Sequence, residues 1–128
     1  MSDDRHRDWA SIAAVWMDGD PDPVTREELR ALVAAGDQDA LAERLGASLE
    51  FGTAGLRGVV GAGSNRMNQA VVTRVARGLA EHLLDRVPDA RALPVIVGHD
   101  ARLSSPGFAE VVAGVLVAAG LSVRFFEQ

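Results

Sequence analysis

The sequence contains no lysine, no cysteine and no tyrosine. Without lysine, all thirteen basic residues are arginine. That excludes Schiff bases, lysine acid/base work and the Walker-type lysine contact to phosphate within this chain. Without cysteine there is no disulfide and no thiolate metal site, a usage that suits a reducing, cytoplasmic setting. Aromatic residues are scarce, four Phe and two Trp in 128 residues, so a core must be built mainly from Ala, Val and Leu. No basic face is concentrated anywhere: the formal charge is −5 and the arginines are scattered among acids, which argues against nucleic acid as a partner. The longest apolar run, residues 111–121, is far below the roughly 20 residues of a membrane span. The first residues, with Asp3, Asp4, Arg5 and His6, are polar and do not resemble a secretory leader. The chain reads as a soluble cytoplasmic protein of one domain's length.

What is present begins with short helices. Trp9, Ile12, Ala13, Trp16 and Met17 recur at helical spacing, and Gly19, Pro21 and Pro23 close that element. Thr25 stands three residues before Glu28, a capping-box pattern that opens a helix ending near Gly36. Asp37 or Asp39 caps another helix through Leu45. Asn68 caps a longer helix to about Leu84, with Val71, Val75, Leu79 and Leu83 as its apolar stripe, flanked by Val72, Ala76, Ala80 and Leu84. Residues 93–98 form an apolar strand buried on both faces. Ser104 or Ser105 then caps a helix with Pro106 in its first turn, and residues 121–126 make a second strand. Strand, helix and strand at this spacing form a βαβ unit with parallel strands.

Two stretches carry chemistry. In residues 51–68 five glycines fall between positions 52 and 63, and Arg57 and Arg66 are the only charges. Glycine brings backbone N–H groups close to a ligand, and arginine adds a fork of donors, a combination suited to an anion. The known phosphate loops do not fit: a Walker loop needs lysine, and Gly61-Ala62-Gly63 is not followed by the third glycine of a dinucleotide fingerprint. The second stretch, residues 98–105, lies at the C-terminal end of a parallel strand, where open α/β sheets bind ligands. Its His99, Asp100 and serines are too close in sequence for a triad, so Asp100 and Arg102 read as a loop pair, with a serine capping the helix. His6, His82 and His99 are dispersed, and no metal site is expected within the chain.

Phe51-Gly-Thr-Ala-Gly-Leu-Arg-Gly58, Asn65-Arg-Met-Asn68 and Val97-Gly-His-Asp-Ala-Arg102, in that order, resemble the first domain of the α-D-phosphohexomutases, the phosphoglucomutase/phosphomannomutase family. The likeness is strongest to the phosphoglucomutase-2-like and phosphopentomutase-type subgroup, whose N-terminal extension residues 16–29 also resemble. The resemblance implies an α/β fold, a mixed, mostly parallel sheet between helices, with an N-terminal helical extension over residues 1–48 and the family's first domain over 49–128.

It also implies an isomerase acting as an intramolecular phosphotransferase. Phosphate moves between C1 and C6 of a hexose, or C1 and C5 of a pentose, through a phosphoserine and a sugar bisphosphate, with Mg²⁺ on the phosphoserine. Arg57 matches the arginine beside that phosphoserine, where it supports the transferring phosphoryl group electrostatically. Thr53 matches a position lining the same substrate site. Gly98, Asp100 and Arg102 match a motif that shapes the sheet edge. The family's Thr-Ala-Ser-His-Asn-Pro loop, its Mg²⁺ loop and its C-terminal domains do not occur in this sequence. The chain is therefore expected to be an incomplete first domain, inactive alone and partnered by those missing domains. The alternatives are a non-catalytic phosphosugar-binding module and a module that completes a mutase in trans.

Overall fold

A computed structural model describes residues 7–53 and 55–126. His6 and Ala54 lie outside the described residues. The chain forms two compact units, residues 1–71 and residues 72–128.

The first unit is built on three helices, α1 (Trp9–Gly19), α2 (Pro23–Ala35) and α3 (Gln38–Leu45), which pack pairwise. Their shared core is Trp9, Ala13, Leu29 and Leu41, all buried, with Trp16, Met17, Leu32 and Leu45 packed around it. The largest aromatic is thus spent where three helices converge. Polar turns set the ends. The Asp8 carboxylate accepts the Ser11 N–H at 3.1 Å and caps α1, and Asp37 accepts the Ala40 N–H at 3.1 Å and caps α3. For α2 the expected Thr25–Glu28 capping box is not what forms. Pro23, lacking an N–H and with its φ already helical, starts the helix earlier, and the Asp22 carboxylate caps it through the Val24 N–H at 2.9 Å. The Thr25 hydroxyl instead donates to the buried Asp20 carboxylate. Glu28 is thereby left to point elsewhere.

The glycine-rich segment follows. β1 (Phe51–Gly52) and β2 (Gly55–Leu56) pair antiparallel, with Phe51 opposite Leu56 and Gly52 opposite Gly55. This is a tight hairpin, and Gly55 takes φ 90°, the left-handed region that glycine enters at no steric cost. The chain then loops back, with a parallel bridge between Val60 and Met67, and enters α4 (Gln69–Arg86).

The second unit contains most of α4, then β3 (Pro94–Val97), α5 (Ser105–Ala118) and β4 (Ser122–Phe125). β3 and β4 are parallel, Val95 opposite Val123 and Val97 opposite Phe125, with α5 as the crossover, as the spacing predicts. The core joins Ala80, Val97, Ala109, Leu116 and Leu121. Two expectations change. Val71 of the expected stripe is buried, but the other buried residues of α4 are Val72, Ala76 and Ala80 on its flank, and Leu79 is 43% exposed. Ala80 of that flank joins the core, with Leu83 and Leu84 packed against it. And β3 is not buried on both faces: Val97 is buried while Ile96 is 68% exposed, because side chains alternate along the strand and α5 covers one side of the pair. The described strands form two separate two-stranded sheets, one antiparallel and one parallel.

Candidate functional site

The segment 51–68 divides in two. Residues 59–68 are tied down at almost every polar group. The Asn68 side-chain amide donates to the Gly61 carbonyl at 2.9 Å and the Gly63 carbonyl at 2.8 Å. Its oxygen accepts the Val71 N–H at 2.9 Å and so caps α4. That one residue, 2% exposed, therefore closes the loop and starts the helix. The Asn65 amide donates to the Glu43 carbonyl at 2.9 Å. Arg66 donates to the Glu43 carboxylate at 2.7 Å. The backbone N–H of Asn65 reaches the Arg44 carbonyl at 2.9 Å. Gly63 lies so close to α3 that an added Cβ would fall 2.9 Å from the Arg44 carbonyl carbon and closer still to its oxygen.

Ala62 is fully buried in the helical core. Its backbone N–H donates to the Glu28 carboxylate at 2.8 Å, and the same oxygen accepts Arg44 Nε at 3.1 Å. The glycine loop therefore does hold an anion, but the anion is the chain's own Glu28, delivered from α2. Sequence reasoning missed this, because Glu28 satisfies the capping-box spacing equally well.

Residues 51–58 are different. Phe51, Gly52, Thr53, Arg57 and Gly58 are all exposed. Thr53 stands in the turn of the hairpin and Arg57 directly after β2. Among the described residues Arg57 has no ion pair and no side-chain hydrogen bond. An exposed guanidinium left in this state, next to a glycine-lined backbone, is free to receive an anionic group.

The stretch 98–105 lies in the second unit. Asp100 accepts Arg102 Nε at 2.7 Å, the Arg102 backbone N–H at 3.1 Å and the Ser105 hydroxyl. The Ser105 hydroxyl, the Arg102 backbone N–H and the Arg102 guanidinium hold the Asp100 carboxyl down at about 2. The expected pair is formed. Ser104 occupies the cap position of α5 without a side-chain cap bond, and the Ser105 hydroxyl goes to Asp100. His99 is exposed, its Nδ1 2.8 Å from the Asp100 carbonyl oxygen. Gly98, His99, Asp100 and Ser105 border a largely apolar cavity of about 430 Å³ completed by Leu79, Val95 and Val97 among others. His82 is exposed.

Among the described residues no three His, Asp or Glu side chains converge, and Asp100 and Glu28 are engaged by arginine. That donor set does not fit the Mg²⁺ that the resemblance implies. Among those residues no helix is long and apolar enough to cross a membrane.

Residues 48–128 match the family described as phosphoglucomutase/phosphomannomutase, alpha/beta/alpha domain I. The chain is 40% identical over 113 residues to a probable phosphoribomutase of Schizosaccharomyces pombe, covering 88% of this chain and 19% of that protein. It is 34% identical over 121 residues to a phosphopentomutase of Mus musculus, covering 90% and 20%. To a glucose 1,6-bisphosphate synthase of Mus musculus it is 32% identical over 119 residues, covering 88% and 19%. The chain thus spans about a fifth of the length of the curated relatives it matches. No solved structure matches it significantly.

Proposed function

Because the chain belongs to the phosphoglucomutase/phosphomannomutase family, matched over residues 48–128, we propose that it supplies the first-domain part of a cytoplasmic phosphosugar mutase. The reaction moves phosphate between C1 and C5 of a pentose, or C1 and C6 of a hexose, by way of a phosphoserine and a sugar bisphosphate. The relatives named for phosphoribose, phosphopentose and glucose bisphosphate chemistry support that substrate class. The family domain begins near residue 49, with residues 1–48 as a helical extension.

The observation that carries the reading is Arg57, an exposed cation with no partner among the described residues, on a glycine hairpin inside the matched segment. Its role is to neutralise charge on the phosphoryl group in transfer, which is the main service a protein renders that reaction. Thr53, in the same hairpin, lines the substrate's phosphate. Gly98, Asp100 and Arg102 shape the end of β3. The reactive serine, the Mg²⁺ ligands and the sugar-selecting groups belong to the rest of the mutase.

The test is a titration of the 128-residue chain with inorganic phosphate, followed by backbone amide NMR. Binding at about millimolar Kd should shift the amides of Gly52, Gly55 and Arg57, and Arg57→Gln should weaken it about tenfold or more. Equal binding by wild type and Arg57→Gln overturns the assignment. Turnover of ribose 1-phosphate or glucose 1-phosphate by the purified chain would sink the placement of the reactive serine elsewhere.

A further inference from the structure

Both legs of the hairpin that presents Arg57 are hydrogen-bonded to the clamped loop. On the incoming side, the Leu49 N–H donates to the Ser64 carbonyl at 3.2 Å. The Ser64 hydroxyl ties back to the Ala47 carbonyl at 2.6 Å. On the outgoing side, the Val59 carbonyl accepts the Met67 N–H at 2.8 Å, and the Gly61 N–H donates to the Met67 carbonyl at 3.1 Å. The Leu49 side chain lies directly over Gly58, where a Cβ would be 2.7 Å from one of its methyl groups. Loop and hairpin legs are therefore one hydrogen-bonded piece.

That piece is joined to α2 by one polar contact, the Glu28 carboxylate on the Ala62 N–H. Arg44 of α3 holds the same carboxylate oxygen and is itself fixed by donating to the Ala40 carbonyl at 3.2 Å. A carboxylate accepting a backbone N–H makes one of the stronger bonds available to a loop, and Glu28 is only half-exposed. Among the described residues, the loop's other hydrogen bonds to the three helices go to α3, through Glu43 and Arg44. Removing Glu28 leaves the loop's polar contacts on α3, with Ala62 still packed in the helical core.

We propose that Glu28 is a positioning residue: from the helical extension it fixes the glycine loop through the Ala62 N–H, and through that loop the hairpin carrying Arg57. The extension is thereby part of the phosphate site's construction. The link from Glu28 to phosphate rests on the reading of Arg57 above, but the link from Glu28 to the hairpin does not.

The experiment compares the wild-type chain with Glu28→Ala, Glu28→Gln and Arg57→Gln. Amide hydrogen exchange is read at Ala62, Gly52, Gly55 and Leu56, with inorganic phosphate as the binding probe. In Glu28→Ala, exchange at Ala62 and at the hairpin amides should accelerate together by about tenfold, while the buried core amides near Leu29 and Leu41 keep their protection. Phosphate affinity should fall about fivefold. Glu28→Gln, which keeps a side-chain oxygen for Ala62, should restore most of both. If Glu28→Ala does not fold, Glu28→Gln decides by the same coupling, with Ala62 and the hairpin moving by a common factor. Accelerated exchange at Ala62 with the hairpin amides and phosphate affinity unchanged overturns the proposal. Coupled exchange with no effect of Arg57→Gln on phosphate instead leaves Glu28 as the hairpin's anchor and removes Arg57 from the site, so the two failures are distinguishable.

Discussion

Both halves of the glycine-rich segment carry glycines and a single arginine, yet they differ in what their polar groups do. In residues 59–68 Arg66 is bound to Glu43, Asn68 holds two carbonyls, and the Ala62 N–H is taken by Glu28. In residues 51–58 the strands are two residues long, the turn is exposed, and Arg57 is left without a partner among the described residues. The difference teaches that glycine serves two ends here. In the clamped half it permits backbone to lie against a helix. In the open half it lets the chain turn back sharply, with Gly55 at φ 90°.

The sharpest way to break this contrast is to add a methyl group to each half. At Gly63, φ is 104° and an added Cβ meets the backbone of Arg44. Neither partner can swing aside, so Gly63→Ala should cost about 2–4 kcal/mol. At Gly55, φ is 90° but nothing lies within 4 Å, so Gly55→Ala should cost only about 1 kcal/mol, from the backbone alone. Urea denaturation of the two variants checks the ordering. Equal losses would mean that the loop does not depend on its approach to α3.

Asn68→Ala should come next. It removes the cap on α4 and leaves the Gly61 and Gly63 carbonyls without their side-chain donor, for about 2–3 kcal/mol in all. The loss should appear in urea denaturation and as faster amide exchange at Val71. A loss below about 0.5 kcal/mol would show that the loop is held by its α3 contacts without Asn68.

Much of this was legible in residues 1–128. The caps at Asp37 and Asn68, the end of α1 at Gly19 and the parallel βαβ unit all follow from local chemistry that acts over a few positions. What escaped were contacts whose partner is distant in the chain. Glu28 and Ala62 are separated by 34 positions, and no spacing rule connects them; Thr25 and Glu28 fit a capping box well enough to hide the truth. Only Pro23, one residue past the real cap, carried the competing signal. The stripe of α4 was legible only in part: Val71 is buried as expected, but so are Ala76 and Ala80 beside it, while Leu79 is exposed. For the candidate site, the glycine-and-arginine composition pointed to Arg57 and Arg66 alike and the resemblance singled out Arg57; in the structure Arg66 is bound to Glu43.

A third arginine sharpens the comparison further. Arg102 is 83% exposed at its side chain and Arg57 is exposed too, yet Arg102 donates to Asp100. It should therefore not answer phosphate as Arg57 does while Asp100 is ionised. That ionisation is robust: the Asp100 carboxyl is held at about 2, below its ordinary 3.8, first by the Ser105 hydroxyl, then by the Arg102 backbone N–H and guanidinium. A folded-state value below the unfolded one means that the loop's contribution to stability is full above about pH 4 and is lost as pH falls through about 2. Carboxyl ¹³C NMR should accordingly find Asp100 titrating near 2. In Ser105→Ala the value should move up toward 3.8, because the largest stabiliser of the carboxylate is gone, and Arg102→Gln should move it less, since the backbone N–H remains. Titration at the ordinary value in the wild-type chain would mean that Asp100 does not hold Arg102, and that the two exposed arginines are equivalent as anion receptors.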